Sequence, residues 1–122
     1  MQGIMQDWPL TVNKILEHAN MQHGAREIIT RRVEGNIVRS TYADLFVASK
    51  QVSSALKDID IGMGDRVATL GWNSERHMAA WYGTMGIGAV LHTINPRLHP
   101  EQIAWIANHA EDKVLIFDKT FL

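Results

Sequence analysis

The sequence predicts an α/β fold: an N-terminal helix and a β-hairpin, then a β-α-β-α-β unit with a parallel sheet. Three observations carry this. The run from Gly64 to Asp118 alternates short apolar stretches with stretches of helical period, the pattern of parallel strands joined by helices. Two β-rich stretches flank Glu34-Gly35-Asn36, a hairpin signal. A capping-box pattern at Thr41–Asp44 opens an apolar stripe, which marks a helix start between the two regions. The 122 residues read as one N-terminal domain or subdomain. Residues 1–63 supply helix, hairpin and helix, and residues 64–122 the parallel unit. Parallel sheets need cover on both faces, so the unit is expected to be an incomplete part of a larger domain.

In order, Thr11 is the expected N-cap of the first helix, with Val12, Ile15, Leu16 and Ala19 at helical spacing. Gly24 is the expected stop, because glycine tolerates the left-handed conformation past a helix end. Glu27–Val33 and Ile37–Thr41 are the hairpin strands. Leu45, Ala48, Val52, Ala55 and Leu56 form the stripe of the second helix. Gly62 and Gly64 turn the chain into the strand Arg66–Leu70. Asn73 or Ser74 caps the next helix, with Glu75 near its positive end. Met78, Ala79, Ala80, Trp81 and Tyr82 make that helix apolar over much of its circumference, so burial is expected.

Gly83, Gly86 and Gly88 are expected to turn the chain into the strand Ala89–Thr93. Asn95-Pro96 marks a loop, and Pro100 suits the first turn of a helix whose core face is Ile103, Ile106, Ala107 and Ala110. Val114–Phe117 is the third parallel strand. Right-handed crossovers would place both helices on one face of the three strands. The other face would then carry Val67, Leu70, Val90, Val114, Ile116 or their neighbours uncovered, which predicts self-association.

Composition narrows the function. Apolar residues make up 46% and charged residues 20%, a globular balance that excludes wholesale disorder. A net charge of −1 offers no basic excess for nucleic acid. Cysteine is absent, which excludes disulfides and thiolate chemistry and fits a cytoplasmic location. No apolar run reaches the ~18 residues of a membrane span, and the first residues lack the pattern of a secretory signal.

The chemistry-bearing residues are dispersed. Gly83, Gly86 and Gly88 follow a helix and precede a strand, the reverse of the order in a dinucleotide fingerprint. No G-x-x-x-x-G-K-[ST] occurs. His18, His23, His77, His92, His99 and His109 lack the close pairing of a metal motif, and His92 reads as a satisfied core histidine. Ser49, Ser53 and Ser54 lie outside any nucleophile elbow. Asp44, Asp58, Asp60 and Asp65 fall at caps and turns. One place has a geometric claim: ligands of open parallel sheets bind beyond the carboxyl ends of the strands. There Arg97 could hold an anion beside the helix start at Asn73–Ser74. The competing reading has Arg97 paired to a carboxylate and Asn95 shaping the turn, and it carries more weight. No catalytic, cofactor-binding or metal residue is assigned.

Several stretches in fixed order carry a resemblance: TYADL (41–45), GDRVA (64–68), NSE (73–75), GAV (88–90), HTINPRL (92–98) and AEDKVLIFD (110–118). Together they resemble the N-terminal part of an adenylate-forming acyl-CoA synthetase, and most of all the medium- and long-chain fatty acid–CoA ligases. The resemblance implies a whole enzyme that joins a fatty acid to ATP with Mg²⁺, then passes the acyl group to CoA. It also implies that this segment is scaffold, inactive alone, whose partner is the rest of the parent chain. The family's Ser/Thr/Gly-rich phosphate loop, ribose-binding aspartate and catalytic lysine have no counterpart in these residues. Two other readings stay open: a free-standing protein-interaction module, and a small nucleotide-binding domain. An open reading frame that continues into a T-S-G-T-T-G-like loop would separate the first of these from the scaffold.

Overall fold

In a computed structural model, residue 4 and residues 7–122 are described. The elements run α1 (Asn13–His23), β1 (Glu27–Arg31), β2 (Ile37–Thr41), α2 (Tyr42–Asp58), β3 (Arg66–Leu70), α3 (Glu75–Met85), β4 (Val90–Thr93), α4 (Pro100–Ala110) and β5 (Val114–Phe117). A short 3-10 turn, Lys119–Phe121, follows β5 and has no precedent in the sequence reading. The α/β class and the order helix, hairpin, helix and parallel unit agree with that reading.

Local chemistry explains most boundaries. Thr41 accepts from the Asp44 amide while the Asp44 carboxylate accepts from the Thr41 amide, so the box starts α2 as expected. Ser74 Oγ accepts from the His77 amide and starts α3. Thr11 does not cap α1. That helix begins at Asn13, its first turn closed by backbone bonds from Lys14 to Thr11 and from Ile15 to Val12. Gly24 ends it at a right-handed φ of −51°. A Cβ there would lie 2.5 Å from the Asn20 carbonyl oxygen, so space and not a left-handed turn explains the glycine. The first hairpin strand stops at Arg31, because the turn closes on Arg32, whose carbonyl accepts from the Gly35 amide.

The sheet order corrects an expectation. β3 lies in the centre, paired in parallel with β4 on one side and β5 on the other. The chain therefore crosses from β3 to β4 through α3, then runs back past β3 to β5 through α4, in the opposite direction across the sheet. Right-handed crossovers running opposite ways put the two helices on opposite faces, not on one. One face holds Val67, Thr69, Val114 and Ile116, in register on one side of the sheet. Val67, Val114 and Ile116 pack there with Leu56, Ile61 and Ala89. The other face holds Ala68 and Leu70, which pack with Ile94, Ile103, Ala107 and Phe121. The residues expected on one bare face are thus divided, with Val67 fully buried on the first and Leu70 nearly so on the second.

Gly83 is also reassigned. It lies inside α3, where a Cβ would sit 2.6 Å from Val52 Cβ and 2.7 Å from the Ser49 carbonyl oxygen. Its missing side chain lets α2 and α3 touch, and Ser53 Oγ donates to the Gly83 carbonyl at 2.7 Å. Of the three glycines expected to turn the chain, only Gly88 has a positive φ, +79°. Met78 and Trp81 are 42% and 37% exposed, so α3 buries only the side that carries Ala79, Ala80, Gly83 and Thr84. Among the described residues, no helix is long and apolar enough to cross a membrane.

Candidate functional site

The start of α3 separates two clefts. The larger, about 620 Å³, runs between β1 (Ile28, Ile29, Thr30), the outer side of α3 (His77, Met78, Trp81, Tyr82) and Thr93 at the end of β4. The smaller, about 320 Å³, lies at the carboxyl ends of β3 and β5 and is walled by Thr69, Gly71, His77, Ile116 and Asp118. The sheet geometry put a ligand at these strand ends, so their donors and acceptors decide what could sit there.

Most of these groups are already engaged. His77 Nε2 lies 2.9 Å from Thr69 Oγ1, which is buried. The Trp72 amide donates to Asp118 Oδ2 at 2.7 Å, and the Trp72 indole N–H donates to Thr120 Oγ1 at 2.8 Å. Glu75 accepts from the Arg32 guanidinium. Burial pushes the Glu75 carboxyl up, but that guanidinium and its own backbone N–H outweigh burial and hold it below the usual carboxylate range. A negative charge is therefore fixed at the N-terminus of α3, where a phosphate would otherwise be welcome.

The two readings of the Arg97 loop divide. Asn95 Oδ1 accepts from the Arg97 amide at 3.0 Å, so Asn95 shapes the turn as expected. No ion pair to Arg97 is found among the described residues. Arg97 is exposed, and it lines neither cleft. These residues do not fit the ATP and Mg²⁺ that the resemblance implies for a whole enzyme. The helix start is closed by Ser74 and flanked by Glu75, and no group of three or more His, Cys, Asp or Glu able to hold a metal ion exists among the described residues.

Several other polar and titratable residues are engaged within the fold. His92 Nδ1 lies 2.7 Å from Oδ2 of the buried Asp112 and ties β4 to the turn before β5, which fits a satisfied core histidine. His109 stacks on Trp105 at 4.8 Å, and His18 meets His23 edge-on. Ser49 donates to the Leu45 carbonyl within α2. Asp65 accepts from Lys113 and from the Gly62 amide, which hold it below its ordinary range. Burial raises the Tyr82 hydroxyl beside the larger cleft. Sequence reasoning named Tyr82 and Met78 as core and did not foresee the cleft. Its walls come from a hairpin and a helix some 45 positions apart, and no local pattern records that meeting.

Comparison with known proteins gives a consistent picture. The family described as AMP-binding enzyme matches residues 16–121. The chain is 46% identical over 118 residues to a long-chain-fatty-acid–CoA ligase of Thermus thermophilus, which covers 97% of the chain and 22% of that protein. It is 42% identical over 122 residues to a medium-chain-fatty-acid–CoA ligase of Ectopseudomonas oleovorans, covering all of the chain and again 22% of the relative. Among solved structures, the N-terminal domain of FACL13 from Mycobacterium tuberculosis matches with a TM-score of 0.77 at 28% identity, covering 88% of the chain and 26% of that domain. The chain therefore spans less than a quarter of the length of these curated relatives.

Proposed function

The chain belongs to the AMP-binding enzyme family, and from that premise we propose that it is the N-terminal scaffold of a fatty acid–CoA ligase. The whole enzyme would form an acyl-adenylate from ATP, Mg²⁺ and a fatty acid, then transfer the acyl group to CoA. The observation that carries the reading is the coverage: nearly all of this chain aligns to 22% of each ligase relative. The donors around α3, which bond within the chain, support the same reading. Long-chain and medium-chain ligases match the chain almost equally well, which supports an acyl-chain preference encoded elsewhere in the polypeptide.

Its partner on this reading is the rest of a relative-length polypeptide, and its setting the cytoplasm. Self-association is retained as part of the reading. Val90, Leu115 and Phe117 stay 50%, 45% and 42% exposed on the face that α4 covers, and apolar surface of this kind favours contact. The division into residues 1–63 (helix, hairpin and helix) and 64–122 (parallel unit) is proposed as two parts of one domain, because α2 and α3 pack against each other across it.

The test is thioester formation by the purified 122-residue chain with ATP, Mg²⁺, CoA and a medium-chain fatty acid. Consumption of the CoA thiol should match the protein-free control. Turnover at an enzyme-like rate would overturn the reading. A stop codon directly after Leu122 in the gene would favour the free-standing interaction module.

A further inference from the structure

The larger cleft has the form of a missing strand's place. Its long wall is the unpartnered edge of β1. Arg32 donates its amide to the Asn36 carbonyl, and Tyr42 donates its amide to the Arg26 carbonyl. With the register Glu27↔Thr41, the even-numbered residues of β1 face β2 with their backbone groups. The amides and carbonyls of Glu27, Ile29 and Arg31 therefore point the other way. Thr41, opposite Glu27, obeys the same rule, since its amide leaves the hairpin to reach Asp44. At the far end of the cleft stands Thr93 on β4, itself an outer strand. Val90 donates its amide to Asp65, just before β3, and Ile94 donates to Thr69 of β3, which leaves the amides of Leu91 and Thr93 directed outward. The floor between is α3, with Met78 and Trp81 half exposed and Tyr82 beside them.

Backbone groups repeating at every second residue, above an apolar floor, match an extended peptide better than a compact ligand. None of the residues lining the cleft is Lys or Arg, and the nearby Arg32 is held by Glu75, so its walls offer an anionic ligand little to meet. We propose that this cleft is a strand-binding slot, filled by an extended segment from the part of a relative-length polypeptide outside the stretch matched here. Most of each relative's length lies outside that stretch, so a segment to fill the slot is at hand. The inference rests on the scaffold reading above. The incoming segment pairs with Glu27, Ile29 and Arg31 and lays alternate apolar side chains over Met78 and Trp81. That would hide an edge that is otherwise open to indiscriminate pairing.

The test is to co-express the 122-residue chain with the remainder of the Thermus thermophilus ligase polypeptide and to read single-amide hydrogen exchange. In the complex, the amides of Ile29 and Arg31 should exchange at least about tenfold more slowly than in the chain alone, with Ile28 and Thr30 little changed because β2 already holds them. Ile29→Pro removes one outward donor without breaking the hairpin ladder, and it should weaken the complex at least about tenfold. Trp81→Asp, on the exposed floor, should do the same and serves if the proline variant does not fold. A complex in which Ile29 exchanges as fast as in the free chain would overturn the slot and leave the scaffold reading standing. A remainder that does not associate at all would overturn both. Slow exchange at Ile29 in the chain alone, lost on dilution, would show a second copy in the slot and would equally overturn the proposal.

Discussion

The two faces of the parallel sheet differ in how completely they are packed. On the first, α2 and α3 together cover Val67 and Thr69, which are 0% and 1% exposed, and Gly83 brings the helices within backbone contact. On the second, α4 stands alone and none of its residues is fully buried. Val90, Leu115 and Phe117 are left partly open beside it. The difference teaches that the first face is where this chain is stabilised from within. The second face stays partly open, and the β1 edge has no strand beside it among the described residues.

Truncations should divide the same way. Val67→Ala, in a site with no solvent access, should cost about 2–4 kcal/mol in denaturant unfolding. Leu115→Ala, 45% exposed on the second face, should cost under about 1 kcal/mol. Equal losses would erase the contrast. Gly83→Ala probes the first face from the opposite direction. Its Cβ would press on Val52 and the Ser49 carbonyl, and the overpacking should cost about 1–3 kcal/mol. Most of that range exceeds the roughly 1 kcal/mol that alanine usually gains over glycine in a helix. A raised Tm would show that α2 and α3 can spread apart. Thr41→Ala, which opens the capping box of α2, should cost about 1 kcal/mol.

The smallest effect concerns acid. Glu75 is held below its ordinary value of 4.5 in the folded chain. A carboxyl whose folded pKa is lowered adds stability above its unfolded pKa and loses it as pH falls through the folded one. The Tm gap between the native chain and Glu75→Gln should therefore be present at pH 7 and shrink below pH 4.5. A gap independent of pH would mean that the Arg32 pair contributes nothing through charge.

What could be read in the sequence was local. The Thr41–Asp44 box, the Ser74 cap, Pro100 and the strand Val114–Phe117 each depend on neighbours within a turn or two, and each stands where the residues indicated. Strand order was not legible, because periodicity marks a strand but not its neighbour. Its absence produced the expectation of two helices on one face. Gly83 was misread for a related reason: what excludes its Cβ is Val52, 31 positions away. The cleft between β1 and α3 was not legible, because its walls come from elements far apart in the chain. Engagement of Glu75 by Arg32 links two elements 43 positions apart, and nothing in either stretch announces it.

The central claim is that these residues form a folded scaffold whose nucleotide chemistry lies in other parts of a relative-length polypeptide. Titration calorimetry of the folded chain with AMP, and with ATP and Mg²⁺, tests it most directly. The account predicts no binding heat up to about 1 mM nucleotide, a concentration that would reveal even an interaction of about 4 kcal/mol. Saturable AMP binding in the micromolar range would contradict it.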